Sequence, residues 1–302
     1  MKNKIVVLGS SNTDMVIKSE RLPVPGETIL GGTFLMNAGG KGANQAIAAS
    51  RLGGDVTFIC KTGNDLFGNK SVELYKKENI NTEFIFTDAE LPSGVALITV
   101  DDNGENCIVV ASGANFSLNK SDVDQAKDAI VNAGLLLMQL ETPIDTVLYA
   151  AKIAKKHGVK VFLNPAPAQP IPSELISQLY MITPNKTEAE SLSGIKVADW
   201  KSAKRAADKI CELGVSVVVI TLGSMGTLVK DGDQYYEIPV PVKVDAVDTT
   251  AAGDTFCGAL CVGISEGLDI PDAVRFANNA AGISVTRMGA QSSIPYRKEL
   301  DS

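Results

Sequence analysis

Short apolar runs bounded by polar or glycine-containing turns alternate along this chain with longer stretches in which apolar residues recur every three or four positions. The first kind reads as strands buried on both faces, the second as helices laying one face on a core. Strands are predicted over 5–8, 56–60, 135–140, 159–163, 181–183 and 215–221, and helices over 43–52, 66–78, 144–157, 201–213, 252–266 and 271–286. The last helix carries its own start signals, with Asp269 as a cap and Pro271 in the first turn, while Gly267 stops the helix before it. Such a strand–helix alternation implies an α/β fold of three layers, a mainly parallel sheet covered by helices.

Two stretches break the rhythm. Residues 94–100 and 106–110 read as strands flanking Asp101-Asp102-Asn103-Gly104-Glu105, where Asn103-Gly104 favours a tight hairpin turn. Residues 15–34 place Pro23, Pro25 and Gly26 between short extended pieces. Neither fits a crossover between parallel strands, so both are assigned to a small β lid of about 15–36 and 94–111, a device that excludes water when it closes over substrate. With no repeat or long linker, 1–302 is expected to be a single domain carrying this lid.

Composition narrows the function. At 302 residues and 45% hydrophobic content the chain can bury a sizeable core. It has no apolar run of membrane-spanning length, and Met1-Lys2-Asn3-Lys4 leads straight into the first strand without a secretory apolar segment, so a soluble, cytoplasmic protein is expected. A net charge of −7 argues against nucleic-acid binding through a basic surface. An acidic protein that takes phosphates must use backbone donors, a metal or a few basic residues. The five cysteines, at 60, 107, 211, 257 and 261, are odd in number and form no C-x-x-C pair, and read as buried thiols. His157, the one histidine, precedes Gly158 at a helix end, which removes histidine-based hydrolysis and multi-histidine zinc sites. Acid–base chemistry is left to carboxylates and lysines.

Polar residues gather just past the strands, at Asn12 and Asp14, Glu141, Asn164, Asn185 and Thr221-Leu222-Gly223-Ser224. In parallel sheets that edge forms the ligand crevice. The loop Asn37-Ala38-Gly39-Gly40-Lys41-Gly42-Ala43-Asn44-Gln45 brings glycines to a helix start, where a polar ligand can approach the backbone. It is not a Walker A loop, since Gly42 stands where Ser or Thr would hold Mg²⁺, and it fails the dinucleotide fingerprint at Gln45. The turn 221–226 could hold nucleotide phosphates or merely reverse the chain. Near the carboxyl end, small residues Ala251-Ala252-Gly253 precede Asp254 at the start of a helix, an arrangement suited to anion binding by first-turn N–H groups. Asp254 could cap that helix, or serve proton transfer beside the anion site.

Taken together, Gly39-Gly40-Lys41-Gly42-Ala43-Asn44 and Asp248-Thr249-Thr250-Ala251-Ala252-Gly253-Asp254 resemble the two signatures of ribokinase-type (PfkB) carbohydrate kinases. Between them, Gly9 to Asp14, Met138-Gln139-Leu140-Glu141, Asn164-Pro165-Ala166-Pro167, Thr183 to Glu188 and Thr221 to Ser224 follow in the family's order across almost the whole chain. The resemblance implies a ribokinase-like fold and ATP-dependent phosphorylation of D-ribose at its 5-hydroxyl. It implies Asp254 as base, with N–H groups near Ala252 and Gly253 stabilising the transferring phosphoryl group. Ribose would be held by Asn12, Asp14, Gly40, Lys41, Gly42, Asn44 and Glu141, and ATP by Asn185, Thr221, Gly223, Ser224, Gly226, Gly253 and Asn278. Mg²⁺ would accompany ATP, with Asn185 and Glu188 in the pattern associated with its organisation. K⁺ would sit among Asp248, Thr250, Ser284, Arg287, Gly289 and Ser293, several of them acting through backbone carbonyls. The family pairs its lids, which implies a homodimer.

Two positions depart from the family pattern: Ala251 stands where glycine is common, and Cys257 where asparagine is frequent. The competing expectations are a kinase for 2-deoxyribose, fructose or a nucleoside, and a noncatalytic sugar sensor. An NAD-dependent oxidoreductase is suggested only by the α/β alternation and is opposed by the broken glycine fingerprint.

Overall fold

In a computed structural model describing residues 4–241 and 245–300, the apolar runs assemble into one nine-stranded sheet and a separate four-stranded one. Along the chain the strands are β1 (Ile5–Leu8), β2 (Asn12–Lys18), β3 (Thr33–Gly39), β4 (Val56–Gly63), β5 (Ile85–Asp88), β6 (Gly94–Val100), β7 (Asn106–Ala111), β8 (Leu135–Met138), β9 (Lys160–Leu163), β10 (Met181–Ile182), β11 (Val217–Thr221), β12 (Thr227–Asp231) and β13 (Gln234–Ile238). The large sheet runs β13-β12-β11-β10-β9-β8-β1-β4-β5. It is parallel from β5 to β11, and β12 and β13 join antiparallel at one edge. That edge hairpin was not anticipated, because its strands mix charged, tyrosine and apolar positions with no long buried run.

Why three layers form is visible in β1. Its four residues are all buried, and successive side chains point to opposite faces. Ile5 and Val7 join the core beneath the helices Lys41–Arg51, Ala252–Ser265 and Ile270–Ser284, while Val6 and Leu8 join the core beneath Ile144–Lys156 and Trp200–Cys211. The expected helices are present to within about two residues at each end, the ordinary uncertainty of helix boundaries. Asp269 caps the helix Ile270–Ser284 as its sequence foretells, accepting from the Asp272 N–H. Among the described residues no helix is long and apolar enough to cross a membrane. Met1 to Asn3, on which the expected lack of a leader partly rests, lie outside the described residues.

The small sheet, ordered β3-β2-β6-β7, falls where the β lid is expected, and it is longer than the sequence suggested. β2 starts at Asn12 and β3 ends at Gly39, paired in register Asn12↔Gly39 through Lys18↔Thr33. Asn12, Thr13, Asp14 and Asn37 read as loop residues because they are polar, yet their backbone continues the ladder into the crevice. The hairpin between β6 and β7 turns as expected, with the Asp101 carboxylate accepting the N–H groups of Asn103 and Glu105 and Gly104 at φ 81°. By register, Ile17, Phe34, Met36, Leu97 and Val109 share one lid face, and all five are exposed.

The helices Lys41–Arg51 and Ala252–Ser265 touch at Gly258. A Cβ there would fall 2.6 Å from the Ala48 Cβ and 2.7 Å from the Gln45 carbonyl oxygen, so only glycine admits the contact without displacement. Gly258→Ala is expected to destabilise the fold by about 1–3 kcal/mol through overpacking. Gly282→Ala, whose Cβ would meet open space, should be neutral or stabilising. Urea unfolding midpoints of the two variants check this contrast.

Candidate active site

The closeness of those two helices brings the ends of two distant loops together. At the start of Ala252–Ser265, the cap residue Ala251 is left-handed, at φ 59° and ψ 11°. Alanine in that conformation costs roughly 1–2 kcal/mol, which explains why glycine suits the position better. The turn draws the Ala252 N–H onto the Thr249 carbonyl at 3.2 Å and leaves the following first-turn N–H groups at the helix start, where an α-helix has no internal acceptors for them. A Cβ on Gly253 would meet nothing within 4 Å, so the space before these donors is open to an anion.

Asp254 lies in this first turn, only 7% exposed. Its Oδ2 accepts from Asn44 Nδ2 at 2.9 Å and its Oδ1 from Gln45 Nε2 at 2.9 Å. Burial raises its pKa above the usual carboxylate range, although the Lys41 ammonium and the two amides pull the other way. Lys41 is itself destabilised as a cation by burial, but Asp254, Glu141 and Glu188 outweigh that and hold its pKa above the usual lysine range. A partly buried ammonium thus faces a cluster of carboxylates.

On the lid side the structure brings together every residue expected to hold sugar. Gly40 is left-handed at φ 90° and sets the entry to helix Lys41–Arg51. A Cβ on Gly42 would fall 2.6 Å from the Gly9 carbonyl carbon, which lets the two loops close on each other. Glu141 Oε2 accepts from the Lys41 N–H at 3.1 Å and from Ser10 Oγ at 2.5 Å. Asn12 Oδ1 accepts from Asn115 Nδ2 at 2.7 Å. Asp14 is pushed up to about 6 by burial, then by Glu141 and Asp254, with Lys41 opposing.

On the other side, β10 and β11 end next to each other, joined by a bridge between Asn185 and Thr221. Asn185 and Glu188 cap the helix Lys186–Ser193 reciprocally: Asn185 Oδ1 accepts the Glu188 N–H, and Glu188 accepts from the Asn185 N–H and Nδ2, each at 2.9 Å. The carboxylate of Glu188 is therefore engaged in the cap, and burial raises its pKa. Gly223 and Ser224 are exposed just past β11, and Gly226 at φ 109° packs against the backbone of Ile238 and Pro239. Asn278 is set apart from the crevice surface: its Oδ1 accepts from Thr227 Oγ1 at 2.7 Å and its Nδ2 points to the Ile238 carbonyl at 3.4 Å.

Of the residues expected around K⁺, hydrogen bonds link Asp248 with Thr250 and Gly289, and Ser284 with Arg287. Asp248 accepts the Thr250 N–H at 2.9 Å and the Gly289 N–H at 2.8 Å, and the Val247 N–H donates to the Val285 carbonyl at 2.8 Å. Burial would raise the pKa of Asp248, but these bonds outweigh it and keep the group below the usual range. The Arg287 guanidinium pairs with Glu299. Ser284 and Ser293 are fully buried, each donating its hydroxyl within its own turn.

Several site residues escaped the sequence reading. Gln45 holds Asp254 and Gln291 holds its partner Asn44, since Gln291 Nε2 donates to Asn44 Oδ1 at 3.1 Å. Asn164, which the sequence did place at the crevice edge, and Gln139 in turn contact Gln45. Gln139 and Gln45 stood within the quoted motifs, but a glutamine gives no local sign of the carboxylate it serves. The departure at Cys257 is chemically quiet: its Sγ lies 3.3 Å from Thr183 Oγ1, and burial pushes its thiol up to about 12.

Residues 2–297 match the model of the pfkB family carbohydrate kinases. The chain is 45% identical to a ribokinase of Staphylococcus aureus over 100% of this chain and 99% of that one. It is 35% identical to a deoxyribokinase of Salmonella typhi over 96% of this chain and 95% of the relative. Its fold superposes with a TM-score of 0.93 on the ribokinase of Arabidopsis thaliana complexed with ribose and ATP, at 33% identity over 99% of this chain and 98% of the other. Matched across almost its whole length by the family model and by near-full-length relatives, the chain belongs to the pfkB family of carbohydrate kinases.

Proposed function

We propose that the protein transfers the γ-phosphoryl group of ATP to the 5-hydroxyl of D-ribose, giving ADP and D-ribose 5-phosphate. The observation that carries this reading is the cluster in which buried Asp254, at a helix start, is bonded to Asn44 and faces the partly buried Lys41, Glu141 and Asp14. The ribokinase names of near-full-length relatives support ribose as the acceptor.

Asn12, Asp14, Glu141 and Asn44, with Lys41 and the backbone of Gly40 and Gly42, would take the sugar hydroxyls. A carboxylate whose sugar partner lacks a hydroxyl is left unpaired, which rejects analogues. The 5-hydroxyl proton passes to Asp254 as O5 bonds to the γ-phosphorus and the bond to the ADP oxygen breaks. Charge on the transferring group is met by the N–H groups of Ala252 and Gly253 and by the helix dipole. Asn185, Thr221, Gly223, Ser224 and Gly226 would line the nucleotide. Asn278 would act there by fixing β12 and β13 beside the adenine end. Mg²⁺ bound with ATP supplies neutralisation of phosphate charge. With both oxygens of Glu188 engaged in the cap, Glu188 would reach the metal through water.

The cation residues supply oxygen donors only, the set a hard monovalent ion takes, and the pairing of Arg287 with Glu299 keeps its positive head off the loop. K⁺ held by Asp248, Thr250, Ser284, Arg287, Gly289 and Ser293 would order the turn that ends at Ala251. The single domain with its lid would work as a cytoplasmic homodimer, because the lid's exposed apolar face and unpaired edges need cover. A second reading, 2-deoxyribose as acceptor, is favoured by the Salmonella relative.

ADP release with ATP, Mg²⁺ and K⁺ is expected to be fastest with ribose among ribose, 2-deoxyribose, fructose and adenosine; a faster rate with 2-deoxyribose would favour the second reading. Asp254→Asn should retain ribose and ATP binding by calorimetry and lose about 10²–10⁴-fold in kcat. Asp14 offers both oxygens as charged acceptors to sugar hydroxyls only above its pKa of about 6, since protonation turns one of them into a donor and removes the charge from the other. KM for ribose should therefore rise as pH falls through about 6, whereas a flat KM between pH 5 and 7 would remove Asp14 from the sugar site. Light scattering should find a dimer, and a monomer after Phe34→Lys with Val109→Lys.

A further inference from the structure

Under Asp254 lies a row of buried amides. Gln45 is fully buried. Both protons of its Nε2 are used, one on Asp254 Oδ1 at 2.9 Å and one on Asn164 Oδ1 at 3.0 Å. Its Oε1 accepts from Gln139 Nε2 at 2.6 Å. Asn164 is fixed in turn, since its Nδ2 donates to the Thr183 carbonyl at 3.0 Å. The direction of every bond follows from the one ionised member. A carboxylate only accepts, so Gln45 must present its NH₂ to Asp254 and its carbonyl to Gln139.

Gln139 is held at a cost. It is fully buried, and its Oε1 has no hydrogen-bond partner. That oxygen sits against the backbone of Gly9, where a Cβ would fall 2.0 Å from it. A buried amide with an orphaned carbonyl oxygen is a poor stabiliser, and an apolar side chain of the same shape would serve packing better. Its retained feature is the one donation to Gln45. Turned the other way, Gln139 would set carbonyl against carbonyl, and Gln45 could escape only by facing its own oxygen to the Asp254 carboxylate.

We infer that Gln45, with its amide direction locked by Gln139 in the space Gly9 leaves, is a positioning residue that aims the Asp254 carboxylate at the sugar hydroxyl and keeps it ionised. This rests on the base assignment proposed above. Its partner on the other oxygen, Asn44, is expected to contact sugar as well, whereas Gln45 and Gln139 act only through Asp254.

The test is the pH dependence of kcat and of KM for ribose in Gln45→Met and Gln139→Met, beside Asp254→Asn. Methionine keeps the length of glutamine without its bonds. Gln139→Met removes one orphaned oxygen while orphaning another on Gln45, so the fold should tolerate it. Loss of a bond to a charged group should lower kcat by about ten- to a hundredfold in Gln45→Met, with a smaller loss in Gln139→Met and KM within about twofold. Lys41, Glu141, Glu188, Asp14 and Cys257 all face Asp254 and stay unchanged in both variants. Losing the donor removes an influence that lowers the pKa of Asp254, so the acid limb of kcat should move to higher pH. Unchanged kcat overturns the inference, as does a fall by one factor at every pH with the limb unmoved. Melting of both variants below the assay temperature overturns it too, since the amides would then serve the fold. Full turnover by Asp254→Asn would overturn the base assignment along with it, whereas an inactive Asp254→Asn beside an unmoved limb defeats this inference alone.

Discussion

A carboxylate taken out of water at the start of a helix is the constraint on which this structure turns. Unaccompanied, a buried charge costs several kcal/mol, and the group would stay protonated. For Asp254 the helix N-terminus, two amide donors and a nearby ammonium offset part of that cost, although burial still holds its pKa above the usual carboxylate range. Those donors sit on a different helix, about 210 residues earlier. They reach the carboxylate only because Gly258 lets the two helices touch. Packing in the core thus sets the protonation chemistry at the surface of the crevice.

The parallel sheet supplies the second half of the arrangement. Because β1, β8, β9, β10 and β11 all run the same way, the residues just past their ends line one edge. Gln139 follows β8, Asn164 follows β9, and Thr183 follows β10. They form a polar row on which Gln45 and Cys257 rest. Glu141, two residues further along from Gln139, turns outward to bond the Lys41 N–H. The same edge therefore provides both the Glu141 carboxylate beside Lys41 and the support beneath Asp254. The lid grows out of it as well, since β2 follows β1 after three residues and carries Asn12 and Asp14 down one side of the crevice.

How much of this could be read from the sequence depends on the range of the interaction. Asp269 before Pro271, and Asn103-Gly104 between two apolar runs, are local signals, and both elements formed where they pointed. The glycine turn at Gly40 and the turn at Ala251 were legible as helix starts because backbone conformation is encoded within a few residues. The inner ends of the lid were not, since Asn12 to Asp14 and Asn37 to Gly39 are polar and gain strand structure only by pairing with each other. The edge hairpin β12–β13 lacks the buried runs that mark the central strands. The amide row was least legible, because Gln45, Gln139, Asn164 and Gln291 acquire their roles from contacts between residues roughly 90 to 250 positions apart.

The central claim is geometric: a sugar hydroxyl must come within hydrogen-bond reach of an Asp254 oxygen in line with the nucleotide's terminal phosphate. A crystal structure of the protein with D-ribose and a non-hydrolysable ATP analogue tests it most directly. The account predicts the ribose 5-hydroxyl at about 2.6–3.2 Å from Asp254, with the terminal phosphate against the N–H groups of Ala252 and Gly253. Ribose bound with that hydroxyl turned away from Asp254, or the phosphate seated elsewhere than this helix start, would contradict it.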